Sequence, residues 1–233
     1  MPIFYLSEKI SFPPPRLAQS NGLLAVGGDL SVKRLLLAYR LGIFPWFSHD
    51  EPILWWSPDP RLVLYPNEFR ISKSLKKIIR KKVFKITLDT AFPQVITECA
   101  YSRRRREEGT WITEEMIDAY CEVHEQGYAH SAEAWCDGEL VGGLYGISLG
   151  RCFFGESMFT QVSNASKVAF TALTLFLKKR AFEIIDCQVT TDHLMRFGAR
   201  EIERKKFLAQ LKNALDAPTL KGKWTNLVRR QRG

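Results

Sequence analysis

The chain has little cysteine or histidine, and neither is arranged for metal. Five Cys (99, 121, 136, 152 and 187) and four His (49, 124, 130 and 193) form no CxxC, HExxH or comparable ligand spacing. An odd, scattered set of thiols is no disulfide framework and points to a reducing compartment. The start, MPIFYLSEKI, lacks the basic region and apolar core of a secretory signal. The longest apolar stretch, Val168–Leu177, is too short to span a bilayer and ends in Lys-Lys-Arg. Acidic residues are in deficit: 25 Asp plus Glu against 34 Lys plus Arg leave a net charge of +9. Internal repeats and low-complexity segments are absent. The expectation is a soluble, cytoplasmic protein, with no metal and no membrane association, whose partner is a polyanion.

The 233 residues suffice for one large domain or two small ones, and 45% hydrophobic with 25% charged residues is an ordinary globular balance. The first sixty residues are dense in turns and aromatics: Pro13-Pro14-Pro15, Gly27-Gly28-Asp29, Phe44-Pro45-Trp46 and Trp55-Trp56-Ser57-Pro58-Asp59-Pro60. Only Ser31–Leu41 reads as a helix there, with Ser31 as N-cap. A small N-terminal lobe (1–62) is expected, leaning on a larger domain (63–210) and on the tail 211–233, with a hinge near Leu62–Glu68. Among Trp46, Phe47, Trp55 and Trp56 at least half are expected in the core, and one or two facing a groove where a base can stack.

Lys73, Lys76, Lys77, Arg80 and Lys81 recur at helical spacing within Ser72–Lys82, while Leu75, Ile78 and Ile79 take the other side. Charged helix faces are commonly plain solvated surface. An all-cationic face without acidic i+4 partners repels itself, however, which favours neutralisation by phosphates. Arg103–Arg106 adds a second basic cluster before Gly109-Thr110-Trp111, and Thr113 caps a helix running to about Glu125.

From Tyr128 a meander begins. Ala129–Cys136 and Leu140–Ser148 are joined by Asp137-Gly138, a hairpin turn, and Leu149-Gly150 leads into the strand Arg151–Phe159. A polar loop, Gln161–Ser166, precedes the apolar helix Lys167–Arg180 and the strand Glu183–Val189. This strand–helix–strand unit is a right-handed crossover, so its two strands should pair in parallel. A short strand at Ala199–Ile202 and a helix at Lys205–Ala214 close the fold.

Each crossover strand carries a carboxylate inside an apolar run. Cys152, Phe154, Glu156 and Met158 should share one face of the first; Ile184, Asp186 and Gln188 one face of the second, the last two roughly 6–7 Å apart. Ionised carboxylates in such runs are costly unless paired. Read alone, each pairs with a buried Arg, caps a loop, or helps line a pocket for a cationic or proton-releasing ligand.

The order antiparallel meander, helix, parallel strand resembles the acetyltransferase-like (GNAT) core, an α+β mixed sheet flanked by helices whose strands splay to form a groove. The loop that cradles a coenzyme A pyrophosphate in that fold is glycine-rich. Here it reads Gln161-Val162-Ser163-Asn164-Ala165-Ser166 without glycine, which removes the close backbone approach a pyrophosphate needs. An acyl donor attached to nucleic acid fits the loop and the charge better.

Eight stretches, in order, carry a specific resemblance: NGLLAVGGDL (21–30), GIFPWF (42–47), PILWWSPDPR (52–61), EEGTWIT (107–113), Leu140–Gly146, GESMF (155–159), NASK (164–167) and IDCQV (185–189). The chain resembles the leucyl/phenylalanyl-tRNA–protein transferases. That resemblance implies a bacterial cytosolic enzyme that moves Leu, Phe and less readily Met from charged tRNA to the α-amine of proteins beginning with Arg or Lys, marking them for N-degron degradation. It implies no cofactor, neither ATP nor metal, because the ester already supplies the driving force. By motif, Asp186, Gln188 and Glu156 belong to the reaction centre and Trp46 and Trp111 to the 3′-adenosine site. The basic helix takes acceptor-arm phosphates. Leu144 stands where the family leads one to expect Met, a volume-similar change. Arg103–Arg106 is more basic than the resemblance suggests.

The chemistry fits those residues. Aminolysis of an ester needs a neutral, aligned amine. Asp186 is expected to orient the α-amine and to receive its proton directly or through Gln188, whose amide is no base, with Glu156 holding adenosine or acceptor. Leu144, Phe153, Met158, Phe170, Leu173 and Ile185 are expected to line an apolar donor slot, about half of them as plain core. Such a slot tolerates Leu, Phe and Met together because methylene-scale differences discriminate weakly. A monomer is expected. Two other readings are a coenzyme A-dependent N-acetyltransferase, disfavoured by the loop, and a non-catalytic RNA-binding protein, which leaves the strand carboxylates unexplained.

Overall fold

The computed structural model describes residues 3–101 and 110–225. Arg103–Arg106 lie outside the described residues.

The local signals form where the sequence places them. Helix α1 (Val32–Arg40) starts at Ser31, whose hydroxyl accepts from Arg34 N–H. Helix α2 (Lys73–Arg80) starts likewise at Ser72, accepting from Leu75 N–H. Strand β6 (Lys85–Leu88) and helix α3 (Phe92–Tyr101) are among the elements with no counterpart in the sequence expectations. Helix α4 (Glu114–Glu125) is capped by Thr113, with Glu114 and Glu115 in its first turn. Helix α5 (Ala165–Lys179) is the crossover, α6 (Asp192–Met195) is a single turn, and α7 (Arg204–Leu215) follows.

The N-terminal segment builds a four-stranded sheet, β1-β2-β4-β3, from Phe4–Leu6, Leu23–Gly27, Leu54–Trp56 and Phe44–Pro45. Strands of two to five residues are too short for alternation to announce them. Phe47 and Trp55 are buried, Trp56 is half-buried and Trp46 is exposed.

The second sheet has seven strands in the order β11-β5-β10-β9-β8-β7-β6. Its remaining members are β5 (Arg61–Leu64), β7 (Ala129–Cys136), β8 (Glu139–Leu149), β9 (Cys152–Thr160), β10 (Ile184–Gln188) and β11 (Arg200–Ile202). All neighbours are antiparallel except β9 and β10, which pair in parallel through Ile184 with Cys152, Ile185 with Phe153 and Asp186 with Phe154. This is the expected α+β order of antiparallel meander, crossover helix and parallel strand, a mixed sheet flanked by helices. Helices α1, α3, α4 and α7 cover one face through a core that includes Tyr39, Phe92, Tyr120, Tyr145, Phe154 and Phe207. Helices α2 and α5 cover the other, where Leu144, Phe153, Phe170, Leu173, Ile185 and Trp224 meet. Each fully buried aliphatic or aromatic side chain contributes roughly 1.5–3 kcal/mol.

Two expectations are corrected. The segment expected as a hinge contains most of a central strand: Leu62, Val63 and Leu64 are all fully buried, because β5 is sandwiched between β10 and β11 with both faces covered. Met158 does not share a face with Cys152 and Phe154. The β8–β9 register shifts between Tyr145 and Gly146, so an extra residue at Gly155-Glu156 inverts the alternation and sends Met158 to the second core while Phe154 stays in the first. A Cβ at Gly146 would lie 2.1 Å from Phe154 O, so this bulge requires glycine.

The tail divides. Leu211 and Ala214 join the core containing the N-terminal helix, whereas Trp224 crosses to the second core, stacked on His130 with ring centroids 3.7 Å apart.

Candidate active site

Strands β9 and β10 pair only as far as Phe154 and Asp186, although β9 continues to Thr160 and β10 to Gln188. Beyond that point the bulge on one strand and a turn on the other separate them. At Gln188 the backbone takes φ +62°, uncommon for a residue with a side chain. Val189 N–H closes the turn on Cys187 O at 2.8 Å, and Gln188 N–H donates to Asp186 Oδ1 at 3.0 Å. Sparsely populated backbone of this kind persists where its surroundings over-determine it. Here it brings the Gln188 amide to Glu156, Nε2 to Oε1 at 2.8 Å.

Asp186, Gln188 and Glu156 are thus brought together, but their surroundings differ. Asp186 is fully buried and its two oxygens accept from Arg61, Nε at 2.8 Å and Nη2 at 2.6 Å. The Arg61 guanidinium lies between the Phe44 and Phe207 rings, 4.8 and 4.7 Å from their centroids. This is the buried Arg–carboxylate pairing that the apolar strand left open.

Glu156 has no cation on its carboxylate among the described residues. It accepts from Gln188 and, at 3.0 Å, from Tyr120 Oη, and it keeps a partial opening to solvent. Tyr39 Oη lies 2.5 Å from Tyr120 Oη. Burial in the core pushes the Glu156 carboxyl up to about 7, against the hydrogen bonds from Tyr39, Tyr120 and Gln188; the charge of Asp186 adds to the rise. One carboxylate is therefore fixed in an ion pair, and the other has its carboxyl raised toward neutrality by burial.

The six expected slot residues assemble on one side of β9 and β10. Leu144, Phe153, Phe170, Leu173 and Ile185 are buried together in the second core, and Met158, half-buried, packs against them. Trp46 keeps 42% of its surface exposed and meets Trp56 with ring centroids 5.8 Å apart; Trp111 is half-buried against the first core. Lys73, Lys76, Lys77, Arg80 and Lys81 are all exposed, and none forms an ion pair with another described residue. In the loop before α5, Asn164 adopts φ +70°, the left-handed conformation that glycine otherwise supplies.

Sequence reasoning missed Arg61, Tyr39 and Tyr120. Arg61 closes the Pro58-Asp59-Pro60 turn, and both tyrosines fall on buried helix faces where an aromatic reads as core. Their partners lie 125, 81 and 36 residues away, so no local spacing marks them.

Among the described residues no helix is long and apolar enough to cross a membrane. The leucyl/phenylalanyl-tRNA protein transferase family matches residues 63–212, and that family's N-terminal domain matches residues 28–59. A leucyl/phenylalanyl-tRNA–protein transferase of Desulfatibacillum aliphaticivorans is 60% identical over 97% of both chains. Its counterpart from Desulforapulum autotrophicum is 56% identical over 96% of this chain and 98% of that one, and the Syntrophobacter fumaroxidans protein 59% identical over 91% and 90%. The chain belongs to the leucyl/phenylalanyl-tRNA–protein transferase family.

Proposed function

We propose that this enzyme transfers Leu, Phe or Met from charged tRNA to the α-amino group of proteins that begin with Arg or Lys, marking them for N-degron proteolysis. Family membership supports the aminoacyl transfer. The observation that carries the mechanism is the Glu156–Gln188 contact across the separated strands, beside an Asp186 already neutralised by Arg61.

In this reading the α-amine attacks the ester carbonyl, the C–N bond forms and the bond to the ribose oxygen breaks. The amine proton passes to Glu156 and from there to the leaving 3′-oxygen. A carboxyl near neutrality suits both steps, because it accepts and returns a proton at working pH. Gln188 spends an amide N–H on Glu156, which leaves its carbonyl to accept from the amine and hold it on line. Asp186 acts through Gln188, whose backbone it fixes. Glu156, whose carboxylate carries no cation among the described residues, adds negative potential for an acceptor carrying two positive charges. Leu144, Phe153, Met158, Phe170, Leu173 and Ile185 receive the donor side chain, Trp46 and Trp111 the terminal adenosine, and α2 the acceptor-arm phosphates.

The test is incubation with labelled Leu-tRNA and a protein bearing N-terminal Arg. Transfer to the α-amine is expected without ATP or added metal, and its absence sinks the reading. A parallel assay for coenzyme A binding separates it from an N-acetyltransferase.

A further inference from the structure

Three elements meet at the Glu156 carboxylate: β9, which carries it, α4 through Tyr120 and β10 through Gln188, with α1 behind through Tyr39. Tyr39 and Tyr120 are fully buried. Burial first, and the charge of Glu156 next, push both phenols well above their ordinary range, so each keeps its proton at any working pH. Tyr120 has one proton and donates it to Glu156, which leaves the Tyr39 proton for Tyr120 Oη or for the carboxylate, with which Tyr39 also interacts. Both phenols thus support the charged carboxylate, with the Gln188 amide arriving beside them. A buried hydroxyl without a partner is costly, and ordinary core packing at both positions is satisfied by Phe. Two such hydroxyls gathered on one carboxylate make a directed arrangement.

We propose that Tyr39 and Tyr120 are positioning residues of the transfer reaction, a phenol chain through which the N-terminal lobe holds the Glu156 carboxylate against Gln188. The lobe is then part of the reaction centre, and its docking through α1 adjusts how readily Glu156 takes up the amine proton. This rests on Glu156 as the proton acceptor.

Groups facing Glu156 are few. Tyr39 comes from α1 and Tyr120 from α4; Gln188 and Asp186 come from β10, the latter covered by Arg61 of β5, and Tyr145 of β8 stands edge-on to Tyr120 with centroids 5.6 Å apart. The Glu156 carboxyl itself is pushed up to about 7 by its burial. Phenol donors stabilise the charged carboxylate, so removing either moves its proton uptake to higher pH.

The experiment is the pH profile of kcat/KM for wild type, Tyr39→Phe, Tyr120→Phe and Glu156→Gln, with ester hydrolysis measured in parallel and folding checked by thermal melts. An acceptor α-amine titrates near 8, so the Glu156 limb is identified as the one that Glu156→Gln removes. Tyr120→Phe should carry that limb upward by about one pH unit, a roughly tenfold loss on the acid side that recovers at alkaline pH. Tyr39→Phe should move it the same way by less. A second measurement keeps every hydroxyl: replacing tyrosine by the more acidic 3-fluorotyrosine throughout should move the limb to lower pH. If Glu156→Gln abolishes the limb but both Phe variants lose activity equally at all pH, or lose none, and fluorination leaves the limb in place, the phenol chain is refuted. If Glu156→Gln keeps the limb, the proton acceptor lies elsewhere and both readings fall.

Discussion

Arg61 and Asp186, 125 positions apart in sequence, form a bidentate ion pair that is sealed from solvent between two aromatic rings. The pair binds β5 to β10 at the point where β10 turns toward Glu156, and it settles the charge of one of the two strand carboxylates. Breaking a buried pair from one side leaves an uncompensated charge, which costs about 3–5 kcal/mol. Arg61→Leu should lower stability by that order in urea unfolding and reduce transfer with it. Asp186→Asn should lose stability as well as turnover. Asp186→Asn with wild-type stability and lost turnover would return the proton-transfer role to Asp186.

Glu156 makes the opposite prediction for pH. Its folded-state value, about 7, is raised above the ordinary carboxyl value. The folded state therefore prefers the protonated acid. That stability is present below the unfolded value, near 4.5, and is lost as pH rises through 7. Glu156→Gln should thus gain on wild type in unfolding free energy between about pH 5 and pH 8, by at most about 3 kcal/mol and less because the carboxyl is partly open to water. A constant difference across that range contradicts the shift.

Charge on α2 should act on tRNA without touching chemistry. Replacing Lys73, Lys76, Lys77, Arg80 and Lys81 by Gln, in pairs, should raise the apparent KM for charged tRNA and leave kcat at saturation near wild type. The salt dependence of binding should flatten by about 0.7–0.9 in log–log slope for each phosphate that the helix no longer neutralises. Equal salt slopes for wild type and variants would leave the helix as solvated surface.

The slot residues separate by burial. Phe170→Ala removes a buried ring and should cost about 3–5 kcal/mol. Met158, half-buried at the rim, should be replaceable by Ala at less cost and should alter the ratio of Phe to Leu transfer by several-fold. An unchanged ratio in competition assays removes Met158 from the slot.

What the sequence determined by itself is what local physics encodes. Ser31, Ser72 and Thr113 start helices because a hydroxyl satisfies a free N–H a few residues ahead. Asp137-Gly138 turns a hairpin, and a strand–helix–strand unit folds only one way, so the parallel β9–β10 pair and the carboxylates it carries are legible in the chain alone. Motif resemblance supplied the family. Tertiary structure alone decided which carboxylate carries an ion pair and which faces phenols. Glu156 and Asp186 read alike in sequence, each a single acid in an apolar strand. Arg61 arrives from β5 on one, Tyr39 and Tyr120 from α1 and α4 on the other, and a proton's preference depends on those neighbours and on the exclusion of water. Neither is written within a few residues of the acid itself.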